Sequence, residues 1–183
     1  MRLRKALFIG LTFCFVLLLM NPVFAQKVKI GYINSTKILA TFKEALDAQK
    51  KIDELNRQWE KEGLEMQKEL EELREQFDSQ SLLLSDTKKA EKAQEIQNLY
   101  LRIQQFQQEK WAPGQGQIYK KQEELMAPVL EKINTVIKEI GDEQDYDYIF
   151  DTVAGNILYA SDDQEDLTDK VLEALEKATP TTK

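Results

Sequence analysis

The sequence predicts an α+β protein that is mainly α, built as one long antiparallel coiled-coil hairpin on a small β body. Three observations lead to this fold class. Apolar residues recur at steps of three and four along two long stretches, which is the spacing of helices that pack side by side. The pattern stops for a short segment between the two stretches, so that they can fold back on each other. Aromatic and β-branched runs near both ends of the chain indicate short strands.

The first 25 residues have the pattern of a secretory signal peptide. A basic start is followed by an apolar run from Ala6 to Met20, and small residues lead up to Ala25, where signal peptidase is expected to cut. The apolar run is shorter than the roughly 20 residues that a membrane-spanning helix needs. We therefore expect a secreted mature protein that begins at Gln26.

Composition excludes several classes of function. Removal of the signal peptide takes away three of the 25 basic residues and none of the 32 acidic ones, so the net charge becomes −10. It also takes away the only cysteine, Cys14, and the chain has no histidine. Catalysis by a histidine base and metal sites built on cysteine or histidine are thereby excluded. An acidic chain also lacks the basic patch that nucleic acids require. We expect no enzyme activity, no cofactor, no metal and no nucleic-acid partner.

The β body is predicted to comprise residues 26–34 and 142–183. Residues 27–33 alternate between polar and apolar side chains, which places Val28, Ile30 and Tyr32 on one face of a strand. Asn34 and Ser35 can then accept hydrogen bonds from free backbone N–H groups, so a helix should begin there.

The helical arm is predicted to cover residues 35–141, and its first helix carries a seam of about five heptads from Phe42 to Phe77. One row of this seam is apolar throughout: Ala45, Ile52, Trp59, Met66 and Leu73. The other row carries Gln49, Asn56 and Gly63. These residues could fix the register of the two helices, or they could make the arm soft and adaptable.

The tip of the hairpin is predicted near residues 79–86, where the heptads stop and Ser85 or Asp86 can cap a new helix. Three leucines lie there beside three lysines: Leu82, Leu83, Leu84, Lys88, Lys89 and Lys92. The leucines could simply close the end of the hairpin, or they could contact another protein or a membrane.

The second helix of the arm is interrupted between Trp111 and Gly116. Proline removes a backbone hydrogen bond and glycine adds chain entropy, so Pro113, Gly114 and Gly116 predict a hinge. At about 1.5 Å per residue, the whole hairpin should project on the order of 60 Å from its base.

The C-terminal part contains two aromatic and β-branched runs, 145–151 and 155–160, which predict a β-hairpin. Asp145, Asp147 and Asp151 lack the glycine and glutamate of a calcium loop, and Asp147 and Asp151 are expected to share the solvent face of a strand. Asp166 should cap a last helix. A body this small, without disulfides, needs another source of stability, and oligomerisation is the remaining one.

The segments at the two ends of the mature chain resemble the Skp/OmpH family of periplasmic chaperones. The matching segments are KIGYINSTKIL at 29–39, APVLEKI at 127–133, and YIFD, ILYA and DLTDKV within 146–172. The resemblance extends over the whole mature chain, although the arms match only in length and character.

The resemblance implies a periplasmic homotrimer whose strands form a shared β-barrel, with three arms around a cavity that holds unfolded outer-membrane proteins without ATP. It implies an oligomer core formed by Val28, Ile30, Tyr32, Ile149, Phe150, Ile157, Leu158 and Tyr159. Candidates for contact with the bound protein, chosen for their side chains, are Trp59, Met66, Phe77, Leu82, Leu83, Leu84 and Phe106. The best-known members of the family are basic, whereas this chain is acidic, so apolar contact should dominate binding.

Two other functions are compatible with a secreted helical hairpin. A structural spacer of the cell envelope would show unbroken heptads and an anchor, and this sequence shows neither. An efflux-pump adaptor would need a lipoyl domain split around the hairpin, for which the few residues before residue 35 leave no room.

Overall fold

The computed structural model describes residues 28–153, 155, 157–161 and 163–178, and the predicted signal peptide lies outside them. The elements are β1 Ile30–Ile33, α1 Ser35–Thr41, α2 Lys43–Gln80, α3 Asp86–Trp111, α4 Gln117–Glu143, β2 Tyr148–Asp151, β3 Glu165–Asp166 and α5 Thr168–Ala178. The mainly helical fold with a small β part is therefore confirmed.

The arm is a helical hairpin in which α2 packs against both α3 and α4. Helix α2 has 38 residues, which corresponds to a length of about 57 Å. The chain turns at residues 81–85, where the Ser85 hydroxyl accepts a hydrogen bond from the Lys88 backbone N–H at 3.4 Å and caps α3. Among the described helices, none is long and apolar enough to cross a membrane.

Most of the buried apolar side chains form two separate cores. The base core lies where α1, the start of α2, α4 and α5 meet behind the sheet, and it contains Ile33, Ile38, Phe42, Ala45, Ala48, Val129, Ile133, Val136, Ile140, Leu167, Val171, Leu172 and Leu175. The distal core, between α2 and α3, contains Met66, Leu70, Leu99 and Ile103. The two cores stabilise the two ends of the arm independently.

The predicted seam is wrong at Gln49. Its side chain is exposed and donates a hydrogen bond to Asp53 at 2.9 Å, while Ala48 is buried in its place. Near the base, α2 packs against α4 rather than against a single coiled-coil partner along its whole length, and the small side chains of Ala45 and Ala48 let α4 approach closely.

The sheet has three strands in the order β2-β1-β3, and both neighbours of β1 run parallel to it. The predicted β-hairpin is therefore wrong. Strand β2 pairs with β1, and residues 155 and 157–160 form no strand. Their sequence favours a strand, but in one chain Leu158 and Tyr159 have nothing to bury against and remain exposed.

Gly31 sets how closely the sheet can approach α5. A Cβ atom at this position would lie 2.8 Å from Cδ1 of Leu167 and 3.0 Å from Cε1 of Tyr146. The Leu167 side chain is fully buried, and its backbone N–H donates to the Tyr32 carbonyl at 2.8 Å. The start of α5 therefore packs directly on the backbone of β1.

A polar clasp of Lys29, Gln144, Tyr146, Glu165 and Lys170 ties the outer ends of the strands together. The Tyr146 hydroxyl donates to the Glu165 carboxylate, and Lys170 Nζ lies 2.8 Å from that carboxylate and 2.7 Å from Gln144 Oε1. Lys29 Nζ lies 4.0 Å from the centroid of the Tyr146 ring. Burial and the bond to Glu165 raise the pKa of Tyr146 to about 12, while bonds from Lys170 and Tyr146 hold the pKa of Glu165 below its usual value.

Tyr146→Phe should lower the free energy of unfolding by about 1 kcal/mol near pH 8, because it removes a partly exposed hydrogen bond to a carboxylate. The folded protein holds the Tyr146 proton more tightly than the unfolded chain does, since its pKa rises from 10.0 to about 12. This stabilisation is therefore complete below pH 10.0 and is lost as the pH rises towards 12. Urea unfolding of both proteins across this range should show their difference shrinking.

The matched control is Tyr100→Phe, which removes an exposed hydroxyl bonded only to Gln104 of the same helix in the described contacts. A constant difference between wild type and Tyr146→Phe up to the highest pH would show that the clasp does not contribute in this way.

Candidate functional site

The first candidate surface is the side of the sheet that faces away from the base core. Because side chains alternate along a strand, Ile30 and Tyr32 of β1 lie on this side together with Tyr148 and Phe150 of β2. The strand register places Ile30 beside Tyr148 and Tyr32 beside Phe150. We name these four residues the outer sheet face. Tyr148 and Phe150 remain 58% and 43% exposed, so this chain leaves aromatic rings in water.

Ile30, Tyr32 and Phe150 of the outer sheet face form the floor of an open groove. The rings of Tyr148 and Phe150 are stacked, with centroids 6.0 Å apart. The walls of the groove come from the segment before β3, and they include Ile157, Tyr159, Ala160, Ser161 and Gln164. An apolar floor with mixed walls is suited to another polypeptide surface.

The residues predicted for an oligomer core divide between the two sides of the sheet. Ile30, Tyr32 and Phe150 belong to the outer sheet face, and Ile157 and Tyr159 line its groove. Val28 and Leu158 are exposed nearby in sequence. Ile149 instead points inward and packs against the base core.

Tyr148 is the outer residue that the sequence analysis missed. The alternation that places Ile149 on the inner side also places Tyr148 and Phe150 together on the outer one. A period-two pattern applied to β2 would have found it.

Asp151, at the inner side of β2, links the sheet to the start of α1. Its carboxylate accepts hydrogen bonds from the backbone N–H groups of Ser35, at 3.2 Å, and Val153, at 3.1 Å. Burial opposes the charge, but hydrogen bonds from Ser35 and Val153 hold the pKa of Asp151 below its usual value. Asp151 is therefore a bonded, half-buried group rather than the solvated one expected. In the described parts of the chain, no group of three His, Cys, Asp or Glu residues could hold a metal ion.

The second candidate surface is the middle of the arm, where three aromatic rings and a lysine meet. The Trp111 ring lies edge-to-face with the rings of Trp59, at 6.3 Å, and Phe106, at 5.9 Å. Lys110 Nζ lies 5.0 Å from the Trp59 centroid and 5.4 Å from the Phe106 centroid. We name Trp59, Phe106, Lys110 and Trp111 the mid-arm cluster.

Two residues of the polar row have definite roles beside this cluster. Asn56 Oδ1 accepts a hydrogen bond from the Trp111 indole N–H at 2.7 Å. A Cβ atom on Gly63 would lie 3.6 Å from the Phe106 ring, at ordinary van der Waals distance, so Gly63 lies directly beside that ring. The bond of Asn56 favours the register-fixing interpretation at this position.

The helix interruption lies next to the mid-arm cluster. Helix α3 ends at Trp111 and α4 begins at Gln117. Gly114 has φ +70°, and a Cβ atom on Gly116 would lie 2.7 Å from the Lys110 carbonyl oxygen. Both positions therefore require glycine, and Pro113 is exposed between the two helices.

The third candidate surface is the tip. Leu82 and Leu83 are 95% and 88% exposed, whereas Leu84 is half-buried. Two of the three nearby lysines are paired within α3, with Lys92 Nζ 2.7 Å from Glu95 and Lys88 bonded to Glu91. The tip therefore presents two exposed leucines beside lysines whose charge is partly balanced by glutamates of the same helix.

The other predicted contact residues are packed within the arm. Met66 is buried in the distal core, Phe77 is half-buried, and Trp59 and Phe106 belong to the mid-arm cluster. Among the predicted contact residues, only Leu82 and Leu83 are open to another molecule in this conformation.

Comparison with known proteins identifies the family. The family model for OmpH, described as outer membrane protein (OmpH-like), matches residues 29–175. A crystal structure from Caulobacter crescentus CB15, of a protein described as OmpH-like and assigned as an outer membrane chaperone, superposes with a TM-score of 0.71. The two proteins are 16% identical, and the match covers 85% of this chain and 88% of the other. No curated protein matches the sequence significantly.

Proposed function

Because the chain belongs to the OmpH-like family of outer membrane proteins, we propose that it is a periplasmic chaperone that holds unfolded outer-membrane proteins without ATP. The observation that carries this proposal is the division of the molecule into a body with an uncovered apolar face and an arm that projects from it. The body is suited to assembly, and the arm is suited to enclosing another chain. The chaperone assignment of the Caulobacter crescentus protein supports the proposal.

The assembly we propose is a homotrimer joined through the outer sheet face. An apolar face that one chain leaves open is normally covered by a partner, and closed symmetric assemblies of identical chains are the usual solution. The segment at 157–160, which has the composition of a strand but no partner in this chain, would add to the same interface. Three copies around one axis would bring the three arms to the same end.

Client binding in this proposal takes place between the arms through many weak apolar contacts. Exposed apolar side chains are scattered along the arm among charged ones, and they include Leu46, Leu64, Leu101 and Tyr119. Single contacts of this kind bind many sequences weakly and release them. The exposed leucines at the tip would extend the same surface to the open end of the cavity.

Phe150→Asp should dissociate the oligomer, because it places a charge in the middle of the proposed apolar interface. The mass measured by light scattering should fall from three copies to one. Ile149→Asp places the same charge on the inner side of the same strand, so it should unfold the base and lower the melting temperature as well.

Leu101→Asp is the matched surface control, because Leu101 is exposed on the arm, far along the chain from the sheet. It should leave the mass unchanged. A Phe150→Asp variant that keeps the mass of the wild type would rule out the outer sheet face as the interface.

The mature protein should keep an unfolded outer-membrane β-barrel protein soluble after dilution from denaturant, without nucleotide. Raising the salt concentration from about 0.05 to about 0.5 M should weaken capture only modestly, since screening removes charge effects but not apolar contact. The double variant Leu82→Ser and Leu83→Ser should weaken capture by about tenfold, or about 1.4 kcal/mol, while the mass of the oligomer stays unchanged. Light scattering of the client against chaperone concentration measures both effects.

A wild-type protein that fails to suppress aggregation at a several-fold excess would refute the chaperone proposal and favour the structural spacer. Capture that high salt abolishes would keep the chaperone and refute the apolar mechanism.

A further inference from the structure

The middle of the arm lies in a gap between the two cores. Along α2, no apolar side chain is fully buried between Ile52 and Met66, and on the returning helices none is between Ile103 and Val129. The gap coincides with the interruption between α3 and α4 and with Gly63 in α2. Both sides of the hairpin therefore have the least apolar packing at the same position along the arm.

We propose that the mid-arm cluster, together with Asn56 and Gln117, is a latch that stiffens the arm at this height, and that its opening lets the distal part bend relative to the base. The inference concerns the free protein and does not depend on the proposed chaperone function.

The first link of the latch joins Trp111 to α2. The indole N–H donates to Asn56 Oδ1 at 2.7 Å, and Asn56 Nδ2 donates to Glu60 at 2.7 Å, which fixes the orientation of the amide. Asn56 and Trp111 are both half-buried. The last residue of α3 is thereby held against the helix that continues past the interruption.

The second link is Lys110, which bridges all three helices. Its ammonium group lies over the rings of Trp59 in α2 and Phe106 in α3, and it donates to Gln117 Oε1 at the start of α4 at 2.7 Å. The Lys110 side chain is only 14% exposed. A cation so placed is attracted by the ring faces, by the amide oxygen and by the Glu109 carboxylate, which lies 3.3 Å from Nζ.

The backbone alone provides little continuity here. Pro113 has no N–H to donate, and the bonds that remain at the interruption are short-range, such as Gly116 N–H to the Ala112 carbonyl at 2.7 Å. The chain between α3 and α4 is therefore positioned mainly by side chains, namely Lys110, Trp111 and Glu109, whose carboxylate accepts a hydrogen bond from Gln117 Nε2 at 2.5 Å.

The latch can open without unfolding either core. The latch consists of a few hydrogen bonds and cation–ring contacts, and losing any one of them changes the equilibrium constant between the closed and the open arm by a factor of about five. The distal core and the base core are held by separate sets of apolar residues. Opening would also free three aromatic rings, and under the proposed function these could contact a client.

The sequence offers a direct spectroscopic readout, because Trp59 and Trp111 are the only two tryptophans of the chain. Asn56→Ala should move the tryptophan emission to longer wavelength as the rings become wetter. It should also speed amide exchange at residues 108–119 by about fivefold, the value of one hydrogen bond. Exchange at residues 96–103 and 129–140 should stay unchanged. Trp111→Phe, which keeps a ring but removes the N–H donor, should accelerate exchange in the same region.

Asn98→Ala is the matched control, since Asn98 is an exposed asparagine bonded to Gln94 within its own helix, and it should change neither readout.

Bending itself can be followed with spin labels at Lys51→Cys and Asp78→Cys, because the mature chain has no other cysteine. In labelled protein mixed with an excess of unlabelled protein, which keeps labels on different chains apart in any oligomer, Asn56→Ala should broaden the distance distribution. Gly63→Ala should narrow it, because alanine stiffens α2 and its Cβ fits beside Phe106.

Unchanged exchange at 108–119 in both Asn56→Ala and Trp111→Phe would overturn the latch. Exchange that accelerates equally in both cores would also overturn it, because the cluster would then be ordinary packing. A distance distribution that stays the same in Asn56→Ala would overturn the bending. All of these measurements use the protein without client, so they are independent of the aggregation assay.

Discussion

The contact of Leu167 with the backbone of Gly31 is the constraint on which the body depends. It joins the N-terminal strand to the C-terminal helix, and a side chain at residue 31 would hold them apart by its Cβ alone. With β1 and α5 in place, the inner side of the sheet is covered by the base core, and the polar clasp around Tyr146 closes its edge. The arm is rooted in that core through Phe42, Ala45 and Val136. A body of this size can therefore anchor a hairpin of about 57 Å.

The sequence predicted the features that depend on local chemistry. Asn34 caps α1 by accepting from the Lys37 N–H at 2.9 Å, and Asp166 accepts from the Thr168 N–H at 2.9 Å at the start of α5. The turn at 81–85 and the interruption after Trp111 follow equally from the stop in the heptads and from Pro113 with its glycines. These signals act within a few residues, so one sequence is enough to find them.

The features that the sequence did not predict depend on partners far along the chain. Ile30 pairs in parallel with Tyr148, 118 positions away, and the composition of a strand does not specify which strand it will join. Residues 157–160 have strand composition but form no strand in this chain, since composition alone does not supply a neighbouring strand to pair with. The bond between Asn56 and Trp111 was equally hidden, since a heptad pattern shows which residues face the seam but not which side chains meet across it. For the same reason, the sequence placed Gln49 in the seam, where the structure buries Ala48 instead.

The outer sheet face and the mid-arm cluster belong to two parts of the molecule that are stabilised in different ways. If copies of the chain cover the outer sheet face, the stability of the body becomes linked to assembly and to protein concentration. Assembly at the body adds no contact to the middle of an arm that projects away from it, so the arm must obtain its stiffness from its own side chains. Continuous apolar packing would supply stiffness but no means of adjusting it. A polar and aromatic cluster, placed where both helices are weak, makes the stiffness of the arm depend on a few contacts that can open while both cores stay folded.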